Sequence, residues 1–280
     1  MNRRKSFIPF LILLLALALS ACQQQPQQPQ VNEVTFIASD YAFQGPDTLP
    51  AGWNRITLEN QGGELHHGQL LKLRADRTMA DLIAAMQENP AHPPDWLSYE
   101  GGPGVYIPGE SGSATVELEA GSYVLICVLP DAEGVPHAAH GMMKPVTVTS
   151  NDGSPAEEPA ADVTMQLVDY SFTLFEEITA GSHTFRVENG GSEPHEVAVV
   201  QLAPGATAED FMAAFAPDAP PGPPPGQPIG GLQVIDPGDS GYFTAEFESG
   251  QTYALICFHP VEGSGVPHAA MGMVQEFTVN

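Results

Sequence analysis

Two nonapeptides, GVPHAAHGM at 134–142 and GVPHAAMGM at 265–273, each follow a lone cysteine. Cys127, His137 and Met142 are spaced C-x9-H-x4-M, and Cys257, His268 and Met273 are spaced C-x10-H-x4-M. Far upstream, in the pattern N-x5-H, stand His66 after Asn60 and His195 after Asn189. Thiol, thioether and imidazole are all metal donors. The only other cysteine is Cys22, so each half of the chain holds one. One cysteine per half cannot close a disulfide within that half. A bridge between halves requires two equivalent strand positions to meet, which leaves a metal-bound thiolate as the better reading.

These residues must be placed by a scaffold, and the scaffold is duplicated. Asp40-Tyr41 matches Asp169-Tyr170, Glu59-Asn60 matches Glu188-Asn189, His66 matches His195, and Pro108-Gly109 matches Pro237-Gly238, every pair 129 residues apart. Single insertions then move the offset to 130 at the cysteines and 131 at His137/His268. Two copies at this period mean paired domains, not a solenoid. The organisation is a leader over 1–22, a Gln/Pro tether over 23–32, a first domain over 33–150, a linker over 151–161 and a second domain over 162–280. Each half reads as about seven short β-rich runs between Gly turns, which predicts an all-β chain of two tandem Greek-key β-sandwiches. One short helix interrupts each. Thr78-x-x-Asp81 and Thr207-x-x-Asp210 resemble capping boxes, and Leu82, Ala85 and Met86, like Phe211, Ala214 and Phe215, are expected to form apolar, core-facing stripes. In YVLIC and YALIC, period-two alternation sets Cys127 and Cys257 on the face of Tyr123 and Leu125, or of Tyr253 and Leu255, toward the interior.

Both halves resemble the cupredoxin, or type 1 blue-copper, family. The residues that carry the likeness are the Asn-Gly-rich turn before the first His, the G-x-Y-x-x-x-C strand, and His and Met on one loop before the last strand. ENGGSEPHEV is similar to the first-histidine segment of plastocyanins, and PHAAMGM to the His-x3-Gly-Met ending of several copper proteins. The likeness implies one copper per domain, held by His66, Cys127, His137 and Met142, and by His195, Cys257, His268 and Met273. It also implies single-electron transfer through a partly exposed loop histidine, here His137 or His268, with small Ala neighbours that let a partner approach. The donor chemistry agrees. Thiolate and thioether favour Cu(I), imidazoles suit both oxidation states, and Met is a poor zinc ligand. Asn60 and Asn189 are candidates for tying the two ligand loops together behind the metal. His67, His140 and Met143, with His259 and Met271, decorate the two sites. The repeat register favours His66 over His67, while His140 and Met271 share one aligned rim position. His92 and His183 read as solvated loop residues.

The remaining signals concern place and partners. MNRRKSFIPFLILLLALALSAC joins a basic start and a short apolar core to a lipobox-like Leu-Ser-Ala-Cys, so Cys22 is the expected lipidation site of an exported, membrane-anchored protein. The expected location is the periplasmic or outer face of a bacterial membrane, with no transmembrane helix in the mature chain. The chain has 9 Lys plus Arg against 34 Asp plus Glu. Three of the basic residues precede Cys22, leaving 6 against 34 and a formal charge of −28. Such a field excludes nucleic acid and suits a partner with a basic docking face, a cytochrome or reductase. Catalysis is not expected, because the chain has no His-x-His pair to hold additional copper. The alternatives to electron transfer are copper binding or delivery without redox, and a metal-free binding module.

Overall fold

A computed structural model of the chain describes residues 30–74, 76–88, 94–151, 156–216, 219 and 222–280. The leader with Cys22, all but the end of the Gln/Pro tether, and His92 lie outside the described residues. The first half contains β1 (Asn32–Ser39), β2 (Ala42–Gln44), β3 (Thr48–Pro50), β4 (Gly52–Asn60), β5 (Gln69–Leu73) and helix α1 (Met79–Glu88). It continues with β6 (Leu97–Tyr99), β7 (Pro103–Val105), β8 (Ser111–Leu118), β9 (Gly121–Ile126) and β10 (Met143–Thr149). The second half repeats the pattern as β11 (Val163–Val168), β12 (Ser171–Leu174), β13 (Gly181–Asn189), β14 (His195–Leu202) and α2 (Ala208–Ala213). Four more strands complete it: β15 (Gly226–Ile235), β16 (Ser240–Phe247), β17 (Thr252–Ile256) and β18 (Val274–Thr278). Among the described residues, no helix is long and apolar enough to cross a membrane.

Each half is a two-layer sandwich. In the first, β2-β1-β4-β8 forms one layer and β3-β10-β9-β5-β6 the other. Alternation along β1 sends Val34, Phe36 and Ala38 inward, as a strand with one buried face requires. Strand β9 is buried on both faces. Tyr123, Leu125 and Cys127 enter the central core, while Val124 and Ile126 lie under α1 with Leu82. In the second half Tyr253, Leu255 and Cys257 enter the core, and Ala254 and Ile256 lie under Phe211 of α2. That two-sided burial explains why YVLIC and YALIC are apolar throughout. The capping boxes form as expected: Thr78 and Asp81 exchange bonds of 2.8 and 3.3 Å, and Thr207 and Asp210 do likewise at 2.9 and 3.1 Å. The stripe on α2 is shorter than expected, because Phe215 is 56% exposed. It lies past the end of the helix, against Phe211 and Phe258 but outside the core.

The halves join through their sheets. Strand β8 pairs antiparallel with β16, and β7 with β15, so the two outer layers become one eight-stranded sheet. Ala114 faces Phe243 and Pro103 faces Leu232, and the members of each pair are one repeat apart. Equivalent strands therefore pair about a local two-fold, the self-complementary contact a symmetric dimer makes. Further bonds extend it, from Gly101 N–H to Val234 O (2.8 Å) and from Gln233 N–H to Gly102 O (3.0 Å). One apolar core runs through both halves.

Candidate metal centre

Each cysteine ends its strand at the loop edge of the sandwich, and the predicted histidines meet it there. His66, Cys127 and His137 converge in one half and His195, Cys257 and His268 in the other, all buried, their donor atoms within 4.8 Å of one another. His66 Nδ1 lies 3.1 Å from His137 Nδ1, and Cys127 Sγ lies 4.0 and 3.5 Å from these two atoms. In the second half the Nδ1 atoms of His195 and His268 are 2.9 Å apart, with Cys257 Sγ 3.5 Å from His268 Nδ1. The loop after each cysteine closes as one 3₁₀ turn, His137–His140 or His268–Met271. Gly141 (φ 102°) and Gly272 (φ 111°) then turn the chain back in the left-handed region, which favours glycine. This return lets Met142 N–H donate to His137 O at 3.0 Å while Cys127 N–H donates to Met142 O at 3.2 Å. Met273 makes the same two bonds with His268 and Cys257. Both methionines are fully buried in the core cluster that holds the cysteines.

Behind the imidazoles stands a layer of carboxylates that the spacing argument does not name. His66 Nε2 bonds Asp40 at 2.7 Å and His137 Nε2 bonds Glu64 at 2.8 Å. The second half repeats both, His195 to Asp169 at 2.6 Å and His268 to Glu193 at 3.0 Å. A signal was present in the repeat: Asp40 and Asp169 stand in register, and each Glu lies two residues before the first histidine. The Gly-rich turn now has a physical cause. A Cβ on Gly62 would lie 2.3 Å from Asp40 Oδ1 and 2.6 Å from His66 Nε2, and one on Gly191 would meet Asp169 and His195 at 2.3 and 2.8 Å.

The carboxylates fix the tautomers. Each Nε2–H donates to its acid, which leaves each Nδ1 with a bare lone pair. Two such lone pairs about 3 Å apart beside a thiol repel unless a cation lies between them. Burial pushes the Cys127 thiol up to about 11 and raises Cys257 further, so free thiolate is scarce at neutral pH. Burial likewise lowers His66 and His268, favouring neutral imidazole, although their acids oppose it. Burial also works against the Asp40 and Asp169 carboxylates, but hydrogen bonds from Gly63 and His66, or from Ser192 and His195, outweigh it and hold them low. Two facing imidazoles beside a buried thiol fit a soft or borderline cation.

Other expectations need correction. His137 and His268 are not partly exposed; they are 1% and 0% accessible, covered by Glu64 with Tyr41, and by Glu193 with Tyr170. Asn60 and Asn189 do not tie the two ligand loops together. Their side-chain amides donate to Glu64 O and Tyr106 O, and to Glu193 O and Ile235 O, bracing the first-histidine turn against the neighbouring strand. The link between ligand loops is made instead by Glu64 and Glu193, whose carboxylates cross to the second histidine. His67 joins no donor group; its Nε2 accepts Val128 N–H at 3.1 Å. His140 stacks on Tyr41 and pairs with Asp131, while Met271 is 53% exposed. His259 packs edge-on against His268 with ring centres 5.6 Å apart. His183 is bonded to Thr179 at the surface.

No family model matches the sequence, and neither does any curated protein. Among solved structures, auracyanin B is 28% identical over 45% of this chain and 92% of its own, with a TM-score of 0.28. A blue copper oxidase from Nitrosomonas europaea is 14% identical over 85% of this chain and 83% of its own, with a TM-score of 0.27. A copper nitrite reductase from the same bacterium is 15% identical over 90% and 94%, with a TM-score of 0.28. The expectation that the chain is not an enzyme is overturned at this point, since these two matches through both halves are an oxidase and a reductase. These overlaps are loose, and the nature of the site rests on its own donors. Copper has two oxidation states that both accept two imidazoles and a thiolate, and the two halves are cupredoxin-like β-sandwiches whose buried His-Cys-His groups fit it.

Proposed function

We propose that the protein carries single electrons at two copper sites, exported and held at a membrane surface through a lipidated Cys22. The observation that supports this most is the pair of bare, facing Nδ1 atoms beside a buried thiol, built twice. His66, Cys127 and His137 would hold one ion, and His195, Cys257 and His268 the other, with Met142 and Met273 as weak fourth donors. Copper supplies a one-electron couple whose two states tolerate the same soft donor set. The protein's own contribution is rigidity. Carboxylates pin each imidazole through its far nitrogen, Gly62 and Gly191 admit that contact, and the sandwich core fixes each cysteine. Little then has to move when the charge at the site changes. Tyr41 with Glu64, and Tyr170 with Glu193, cover the second histidines, so water is kept from the donors. The acidic surface suits a partner with a basic docking face.

Copper-loaded protein should show an intense thiolate-to-Cu(II) visible band that reductant bleaches reversibly. Cys127→Ser and Cys257→Ser should each remove about half of it. Stoichiometric copper without colour, or without a reversible one-electron couple, would overturn the reading in favour of storage or delivery. Because an oxidase and a nitrite reductase stand among the matches, oxygen and nitrite belong among the acceptors tried with the reduced protein.

A further inference from the structure

The contact between halves is two-fold in its backbone and one-sided in its side chains. Tyr99, at the end of β6, is held from both halves: it pairs with Leu71 of β5, and its carbonyl accepts Asp236 N–H at 3.1 Å. Its ring meets that of His259 edge-on, with centres 5.2 Å apart at 78°. His259 in turn meets the ring of His268 edge-on at 5.6 Å and 80°, and its carbonyl accepts His268 N–H at 2.8 Å. In the opposite direction the repeat places Pro228 where Tyr99 stands and Leu129 where His259 stands. Neither carries an aromatic ring. His137, the counterpart of His268, packs on Tyr41 of its own half at 4.9 Å, as His268 packs on Tyr170 at 5.0 Å, so the ring of His259 is an addition peculiar to the second half.

We propose that Tyr99 of the first half sets the ligand geometry of the second half's metal centre, acting through His259 on His268. This rests on reading His195, Cys257 and His268 as copper ligands. His268 is fixed at both ends of its ring, by Cys257 at Nδ1 and Glu193 at Nε2, so the remaining freedom is tilt about that line. The rings of Tyr170 and His259 both limit that tilt, and Tyr99 is a ring from the other half that backs His259. Edge-to-face ring pairs of this kind have a preferred geometry, so the constraint is directional. Tyr99 is a positioning residue that touches no donor. One consequence is that the two centres are inequivalent even where their donors are identical. Another is that disturbance of the interface reaches the second site before the first.

The test uses the full chain with one site at a time, Cys127→Ser leaving the second centre and Cys257→Ser the first. In the Cys127→Ser background, Tyr99→Leu should shift the visible band, the copper hyperfine splitting and the midpoint potential, and weaken copper affinity by up to about tenfold. Tyr99→Phe, which keeps the ring, should restore all of them. His259→Leu should reproduce the effect of Tyr99→Leu, and the double variant should add nothing further. In the Cys257→Ser background the first centre should stay unmoved, although Tyr99 belongs to its own half. A readout without metal is the ring-proton spectrum of copper-free protein, in which Tyr99→Leu should move His268 and leave His137 in place. An unshifted second centre, or equal shifts at both, would overturn the proposal. Absence of a thiolate-to-copper band in the parent protein would instead defeat the copper reading, and the metal-free spectrum would still decide whether Tyr99 governs His268.

Discussion

The two metal centres differ least where they face the ion and most where they face the protein. Both bring two Nδ1 atoms to a buried thiol, and both pin the far ring nitrogens with an Asp from the first β-turn and a Glu before the first histidine. One step outward the copies part. The amide after the cysteine donates to a ring in the first half, Val128 N–H to His67 Nε2, and to a carboxylate in the second, Phe258 N–H to Glu196 Oε1. Leu129 is replaced by His259, and His140 by Met271. Duplication has kept the donor groups and the carboxylates behind them and has altered the residues one step further out. The shared contacts should therefore respond equally to mutation in the two halves, and the divergent ones differently.

The largest effect is expected where the Asp–His contact leaves no room. Gly62→Val and Gly191→Val place carbon where Asp40 and His66, or Asp169 and His195, already lie, at 2.3 to 2.8 Å. Each should lower the copper affinity of its own half by more than about a hundredfold and leave the other half intact, as read by copper titration in the single-cysteine backgrounds. Loss at both sites from one substitution would mean that the shared core couples the centres more tightly than their separate ligand shells suggest. A smaller, matched effect is expected from Glu64→Gln and Glu193→Gln, which keep the shape and the acceptor but remove the charge that favours the ring N–H. Copper affinity should fall about 10- to 100-fold in the affected half, by similar amounts in the two halves. Unequal losses would show that the one-sided contact of His259 with His268 already substitutes for part of the carboxylate's work.

The meeting of cysteine and loop histidine was legible because it is local. Cys127, His137 and Met142 lie within sixteen consecutive residues, and the repeat shows the same pattern a second time. Strand alternation was likewise enough to aim both cysteines inward. The carboxylates were less legible because each Asp–His contact spans 26 residues and joins a turn to a strand entry, a closeness that only the folded sandwich creates. Asn60 reaches a different partner from the expected one for a related reason. Its type and place forecast a brace, but which loop it reaches depends on β7 lying beside the first-histidine turn. The fusion of the halves through β7, β8, β15 and β16 had no signature at all. Pairing between equivalent strands needs only free edges that fit one another, and edges leave no pattern in the side chains.

The smallest effect, and the one that separates the halves most cleanly, is the pH dependence set by His67 and Glu196. In copper-free protein burial pushes His67 down to about 3, helped by His137 and His66, while burial pushes Glu196 up to about 7. Unfolding returns them to about 6.5 and 4.5. Between pH 6.5 and 3 the unfolded chain therefore holds the extra proton on His67, so the His67 contribution to stability falls as pH falls. Between pH 4.5 and 7 the folded chain holds the extra proton on Glu196, so the Glu196 contribution falls as pH rises. Each slope has a ceiling of about 1.4 kcal/mol per pH unit. Urea unfolding of copper-free protein followed from pH 4 to 8 should show opposite changes: His67→Gln removes a rise in stability between pH 4 and 6.5, and Glu196→Gln removes a fall between pH 4.5 and 7. Gln keeps an acceptor for the Val128 or Phe258 amide, so the hydrogen bond is preserved while the titration is removed. If either variant leaves its part of the profile unchanged, that side chain reaches solvent without global unfolding. The amide contact in that half would then open locally, and the loop carrying its cysteine would be the looser of the two.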